Sequence, residues 1–453
     1  MKIHLRGFFI AILTVSLPAA VQAAAQLAFP GAEGFGATAT GGRAGTVYHV
    51  TNLNNSGAGS FRDAVSQPNR TVVFDVGGVI NLTSQLVFSS NITVAGQTAP
   101  GEGIVLNGQG ISMSNQSNII VRYVRFRSSH NTSDGTKAVN ITTGSNIILD
   151  HVDISWGRWD NLGFTSSAHD ITIQNSIISE AINPQRLGAL IDSSTNITVA
   201  RNLWIDNQSR NPKGKAHMQY INNVVYNWGS SGYDGGHSGA VWNQDLINNY
   251  FIKGPSSNNS LLAQFTPTDH VYQTGNMVDL NRDGILNGVD VQESDFLPND
   301  STSGTATFMP TAYNNPTVPV SIMTALQAYS FVIANAGASL HRDSVDTRLI
   351  NQLLSLGALG AVIDDETIVG GAGTIAGGPI LTDTDQDGIP DSWESAHGLN
   401  PALGSDGNFI NPTTGYTNLE LYFNSLVPEP SFLSIAAVSI VLSRRRSRLT
   451  KSS

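Results

Sequence analysis

One short pattern of apolar and polar positions returns along the chain: Asn91-Ile92-Thr93-Val94, Asn118-Ile119-Ile120-Val121, Asn146-Ile147-Ile148-Leu149, Asp170-Ile171-Thr172-Ile173 and Asn196-Ile197-Thr198-Val199. The interval of 24 to 28 residues lies in the range of solenoid repeats. Each phrase is aliphatic and largely β-branched, too short for a helix and bounded by Asn, Ser, Gly and Thr, so it predicts a strand between turns. A strand this short cannot bury an apolar face alone. Stacking one per turn in parallel gives a continuous core with only two open ends, so the expected class is all-β, a parallel β-helix. Further rungs are expected at 218–225 and 246–251. The recurring Asn suits turns in left-handed backbone geometry and side-chain ladders between rungs. A β-sandwich would instead space its strands by about 8–12 residues with hairpin turns, and Asn-Gly or Asp-Gly pairs are few.

After residue 320 the pattern changes. Segments 321–335 and 343–353 carry apolar residues at mixed three and four spacing and predict helices on the solenoid's exterior or at one end. A Gly-rich linker, 370–382, leads to an acidic segment, 383–426. The expected organisation is thus a leader at 1–25, a β-helix at 26–320, a helical cap at 321–369, the linker, the acidic segment and a tail at 427–453.

The leader and tail read as addresses. Lys2 and Arg6 precede the apolar run 8–17 and a small-residue region ending at Ala23, the pattern of a secretory signal peptide. The tail opens Val427-Pro428-Glu429-Pro430, continues in an apolar run at 432–442 and ends in Arg444, Arg445, Arg446 and Arg448. That run falls well short of the roughly twenty residues needed to span a bilayer. The tail resembles a PEP-CTERM sorting signal. The resemblance implies processing by exosortase-type machinery and delivery to the surface or matrix of a Gram-negative cell.

Of the 453 residues none is Cys, so an exported chain must rely on its core and on bound ions. A net charge of −10 argues against a nucleic-acid partner. It leaves an acidic ligand open, because a local cleft of cations or a bound metal reverses the field where it matters.

More specific phrases follow. They include Ala32-Glu33-Gly34-Phe35-Gly36, Gly41-Gly42-Arg43, Gly59-Ser60-Phe61-Arg62-Asp63-Ala64, Asp134-Gly135, Leu149-Asp150-His151, Ser155-Trp156-Gly157, Arg210-Asn211-Pro212 and Asn222-Asn223-Val224-Val225-Tyr226-Asn227. Together they resemble the pectate lyase superfamily over about residues 28–350. The resemblance implies a right-handed parallel β-helix that cleaves an acidic polysaccharide by calcium-assisted β-elimination and works as a monomer.

Elimination requires removal of the C5 proton beside a uronate carboxylate, which a cation assists by stabilising the developing charge. The resemblance places calcium at Asp134 and Asp160, with Asp153 or Glu180 as further oxygen donors. Thr136 stands where the family has a second aspartate. Arg210-Asn211-Pro212-Lys213-Gly214-Lys215 follows the family's Arg-x-Pro-x-x-Arg element, with Lys215 in place of the second arginine. By that match Arg210 is the base, Lys215 and Arg186 are accompanying cations, and Lys213 is a further substrate contact. Trp156 and Trp159 are candidates for stacking on sugar rings or for packing. His151 beside Asp150 reads as a stacked structural residue rather than a hydrolase dyad.

Two segments have calcium-loop spacing. Asp383, Asp385, Asp387, the Ile389 carbonyl, Asp391 and Glu394 occupy positions 1, 3, 5, 7, 9 and 12 of an EF-hand-like loop, with Gly388 at position 6. Asp279, Asn281, Asp283 and Asp290 follow the same plan and resemble a single dockerin-type loop. Two other readings remain open: a non-catalytic glycan-binding surface protein, and a glycoside hydrolase on the same fold.

Overall fold

The computed structural model describes residues 26–258 and 260–428. The signal-peptide segment and nearly all of the sorting tail lie outside the described residues. No helix among them is long and apolar enough to cross a membrane.

The repeated phrases stack as expected, in register and in parallel. Ile92 pairs with Ile119, Ile119 with Ile147, Ile147 with Ile171, Ile171 with Ile197 and Ile197 with Met218. All are fully buried. Burial of each such side chain contributes about 1.5–3 kcal/mol, so one column of identical positions forms the spine of the core. Each turn contributes further strands besides the one legible in the repeat. A second set runs from Gly78–Asn81 to Met277–Asp279 and makes a ten-stranded sheet, parallel except for its last strand, Val289–Asp290. The remaining strands join the repeat strands in an 18-stranded sheet.

The corners explain the Asn content. At the start of each repeat strand Asn91, Asn118, Asn146, Asp170 and Asn196 have φ between 53° and 62°, the left-handed region that Asn and Asp tolerate best after Gly. Their side chains link the turns: Asn118 donates to Asn91 at 2.9 Å, Asn146 to Asn118 at 3.2 Å and Asn196 to Asp170 at 2.8 Å. The far end of each repeat strand turns through another left-handed residue, in order Tyr123, His151, Asn175, Arg201, Asn222 and Asn248. The residue after it faces inward. From the fourth of these corners on it is Asn, and Asn202, Asn223 and Asn249, with Asn276 after a further left-handed corner at Gly275, form a buried ladder. The Asn223 carboxamide oxygen accepts from the Asn202 backbone N–H at 3.0 Å, while its amide donates to the Val199 carbonyl at 2.9 Å. Asn249 and Asn276 repeat the arrangement.

Helices Ala325–Asn335 and Ser344–Leu354 lie on the outer face of the ten-stranded sheet. Val332, Leu349 and Leu353 pack there against Ile177, Ile205, Val224 and Tyr226. Trp156, a candidate for sugar stacking, is fully buried in this layer and donates to Glu180 at 3.2 Å, so it is packing rather than a sugar platform. Under the second helix, Arg125 meets Asp346 at 2.9 Å and Arg127 meets Asp343 at 2.5 Å. Asp343 is also that helix's N-cap.

The glycine-rich opening phrase has a packing reason. Residues 28–39 cross the repeat strands against Ile120 and Ile148, and a Cβ on Gly36 would stand 2.3 Å from the Ile147 carbonyl oxygen. Gly36 and Gly42 N–H groups donate to Thr172 and Thr93 at 2.9 Å each.

Truncation of the inner ladder is expected to cost far more than truncation of the outer one. Asn223→Ala strands the buried Asn202 N–H and Val199 carbonyl and should lower unfolding free energy by about 2 kcal/mol. Asn118→Ala, whose partners reach water, should cost less than about 1 kcal/mol in the same chemical denaturation experiment.

Candidate active site

The strand Lys213–Ile221 brings three cations to one face. Arg210 stands just before it in left-handed geometry, φ 58°. Lys213 and Lys215 follow two residues apart, so their side chains leave the same side of the sheet. On the neighbouring turns Lys213 is in register with Leu190 and Asp234, and Lys215 with Asp192.

Arg210 is held from both sides. Its Nη1 lies 2.9 Å from Asp160 Oδ1, and its backbone N–H donates to Asp234 at 3.1 Å. The guanidinium keeps about a quarter of its surface open, 24%, while the Asp160 side chain is fully buried. Lys137 Nζ approaches the other Asp160 oxygen at 3.7 Å. It gets there by lying across Gly163, where a Cβ would stand 2.7 Å from Nζ. Burial pushes the Asp160 carboxyl above the usual carboxylate range, against the pull of Arg210 and Lys137. Asp234 is likewise raised by burial, against its bond from Ser231 and the charge of Lys213.

Lys213 is largely buried. Its Nζ donates to His237 Nδ1 at 2.7 Å and to Gln264 Oε1 at 2.5 Å. Burial, reinforced by the charges of Arg210 and Lys215, lowers its pKa to about 8. Burial and the Lys213 charge lower His237 as well. Lys215 is more open and meets Asp192 at 3.2 Å.

The other sequence candidates scatter. Arg186 is drawn aside by Asp364 at 2.6 Å. Trp159 remains partly exposed at 37%, and its carbonyl accepts from Leu187, the neighbour of Arg186. Asp134 is exposed and tied to Arg158 at 2.6 Å. The two reserve calcium donors are committed elsewhere: Asp153 sits in the Arg125 cluster and Glu180 is gripped by Arg348 at 2.5 Å. Among the described residues no convergent group of three acidic or His side chains includes Asp134 or Asp160. Asp160 Oδ2 has no hydrogen-bond donor, and the cation against it is the Lys137 ammonium at 3.7 Å. His151 lies 2.9 Å from Asp150 and stacks on Tyr123 at 4.7 Å.

In the Asp279 loop the side chains of Asn281, Asp283 and Asn287 converge on one another at 2.9–3.1 Å, and Asp279 accepts backbone N–H groups. Asp290 is exposed, on the strand paired with Met277–Asp279. In the Asp383 loop, Asp391 turns away to accept from the Thr384 N–H and hydroxyl at 2.8 and 2.7 Å.

Sequence reasoning missed Lys137, Asp234, His237 and Gln264. None belongs to a phrase, and they come to Asp160, Arg210 or Lys213 only through turn-to-turn register.

A parallel β-helix carrying a row of cations beside sequestered carboxylates defines a protein for anionic polymers. No family model matches the chain. It is 46% identical over 418 residues to a probable pectate lyase C of Emericella nidulans, covering 92% of this chain and 97% of that one. A probable pectate lyase C of Aspergillus flavus is 46% identical over 406 residues, covering 89% and 95%. Two solved structures share the fold at low identity. The thermostable pectate lyase PL 47 has a TM-score of 0.51 and 13% identity, covering 70% of this chain and 98% of that one. A pectate lyase from Paenibacillus sp. 0602 has a TM-score of 0.50 and 12% identity, covering 72% and 98%. The chain belongs to the pectate lyase family and is a polysaccharide lyase of that kind.

The Lys213 charge is present below about pH 8 and lost as pH rises through that value. The KM for a polyuronate should therefore increase between about pH 7 and pH 9. Lys213→Met should show the higher KM already at neutral pH and a flatter profile, read from initial rates at each pH.

Proposed function

We propose that the chain cleaves pectate, or a closely related polyuronate, with Arg210 as base. The observation that carries this is the position of Arg210, fixed by Asp160 and Asp234 yet partly open, beside Lys213 and Lys215 and within the family's arginine-proline element. In the reaction Arg210 takes the C5 proton, the electron pair forms the C4–C5 double bond, and the C4–O bond breaks with the leaving oxygen protonated by water. Lys215 and the Lys213 tip grip substrate carboxylates, and Trp159 offers a face to a sugar ring.

Calcium brought mainly by the substrate's own carboxylates, with Asp160 as one protein donor, would neutralise the uronate charge and make C5 more acidic. A guanidine acts as a base only in its neutral form, which alkali favours. Turnover is therefore expected to climb toward alkaline conditions.

The Asp383 and Asp279 loops are proposed as structural calcium loops, apart from cleavage. Export and surface sorting rest on the leader and tail residues alone. The relatives reported are fungal, so a Gram-negative surface and exosortase-type processing remain proposals, as does a monomeric state.

Purified protein incubated with polygalacturonate and calcium should raise the ultraviolet absorbance of a conjugated unsaturated uronate. Arg210→Ala should lower kcat by about 100- to 10,000-fold and also lower the unfolding midpoint, because it leaves the buried Asp160 carboxylate without its guanidinium. Binding of the polymer with a flat absorbance trace would instead establish a glycan-binding protein, and new reducing ends without the absorbance would establish hydrolysis.

A further inference from the structure

The Asp383 loop folds around its own carboxylates. Asp383 accepts from the Gln386 and Gly388 N–H groups at 2.8 and 2.9 Å, and Asp387 from Ile389 at 2.9 Å. Gln386 and Gly388 take left-handed φ of 61° and 91° to allow it. Asp383, Asp385 and Asp387 bring ligand oxygens within 4.8 Å of one another, and Asp387 joins Glu394 and Asp406 within the same limit.

Hydrogen bonding does not account for this centre. Glu394 is fully buried, and neither of its carboxylate oxygens has a donor. Asp385 Oδ2, Asp387 Oδ2 and Asp406 Oδ1 are also buried without one. Stranding a single buried polar group is costly, and stranding several like charges together is far more so unless a cation lies among them. The backbone accommodates the gathering. A Cβ on Gly407 would stand 2.2 Å from Asp387 Oδ2, so only a glycine after Asp406 lets that turn close on the loop.

We infer that Asp383, Asp385, Asp387, Glu394 and Asp406, with the Ile389 carbonyl, form a calcium site in which Asp406 takes the place the loop spacing assigns to Asp391. The ion pins the C-terminal segment onto the first turns of the β-helix. This rests on the reading of the Asp383 segment as a calcium loop and adds to it the ligand set and the role. A site of five carboxylates and a carbonyl suits calcium, which takes six to eight oxygens in flexible geometry, better than magnesium, which keeps much of its water.

The pinning role follows from what the loop touches. Ile389, Leu419, Tyr422 and Phe423 pack with Val73 and Ala95 of the first turns. His49 bridges Asp75 at 3.0 Å and the Gln386 carbonyl at 3.3 Å. Arg43 meets Glu420 at 2.7 Å. The ion thus holds the centre of a contact between segments more than 300 residues apart (His49 to Gln386 spans 337).

The test is calorimetric titration of the metal-stripped full chain with calcium chloride, then with magnesium chloride, comparing wild type with three variants. Glu394→Gln should weaken one calcium event by about 100-fold and Asp406→Asn by about 10-fold or more, with Asp391→Asn within about 3-fold of wild type. In limited proteolysis with calcium, Asp406→Asn should release the segment after residue 380 as fast as the metal-stripped wild type does. Its elimination rate on polygalacturonate at low temperature should be unchanged, which also reports that the variant folds. Calcium loss in Asp391→Asn with none in Asp406→Asn would overturn the ligand set and leave the calcium-loop reading standing. An event untouched by Glu394→Gln would overturn both, and equal or tighter magnesium binding would overturn the assignment to calcium. Unchanged proteolysis on stripping would overturn the pinning role.

Discussion

Every turn of this molecule must reverse its backbone inside a dry core without leaving amide groups unpaired. From the Arg201 corner on, the ladder of Asn202, Asn223, Asn249 and Asn276 meets that requirement. A left-handed residue bends the chain, and the inward Asn after it supplies the hydrogen bonds that the bend removes from the strand pairing. The Asn202, Asn223 and Asn249 carboxamides each bond to the turns on both sides, so the ladder ties the register of neighbouring turns together.

The cation row is a product of that register. Asp160 and Arg210 are 50 residues apart, and Lys213 and His237 are 24 apart, yet parallel stacking makes them neighbours. The same burial that anchors Arg210 through Asp160 depresses Lys213, because an ammonium removed from water beside other cations is less favourable than the neutral amine. Site geometry and site electrostatics therefore have one cause.

The outer face of the ten-stranded sheet is covered by the two helices, and there the chain uses buried ion pairs beside apolar packing. Arg125 and Arg127 occupy positions that would otherwise face water, and Asp343 and Asp346 meet them from the start of the helix. Such pairs fix where the helix docks more than they add to stability. At the first turns, the C-terminal segment is held by Arg43, His49 and the carboxylate-rich loop.

Local order was legible in the residues. The Asx-led repeat implied a parallel β-helix with left-handed corners and ladders, because solenoid geometry imposes the same local demand at every turn. The arginine-proline phrase singled out Arg210. Other residues were misplaced or missed, since their roles depend on partners distant in the chain. Trp156 was open to sugar stacking or packing until two helices covered it, Glu180 was claimed by Arg348, and Lys137 reached Asp160 only because Gly163 left room. Asp391 had the right spacing for a ligand, but it accepts from Thr384, while Asp406 comes close to Asp387 and Glu394. The sequence by itself determined the repeat, its class of fold and the chemistry of its candidate groups, because these follow from local propensity and periodicity. Tertiary structure alone decided which of those groups meet, since contact across turns depends on register and on the neighbours that compete for each charge.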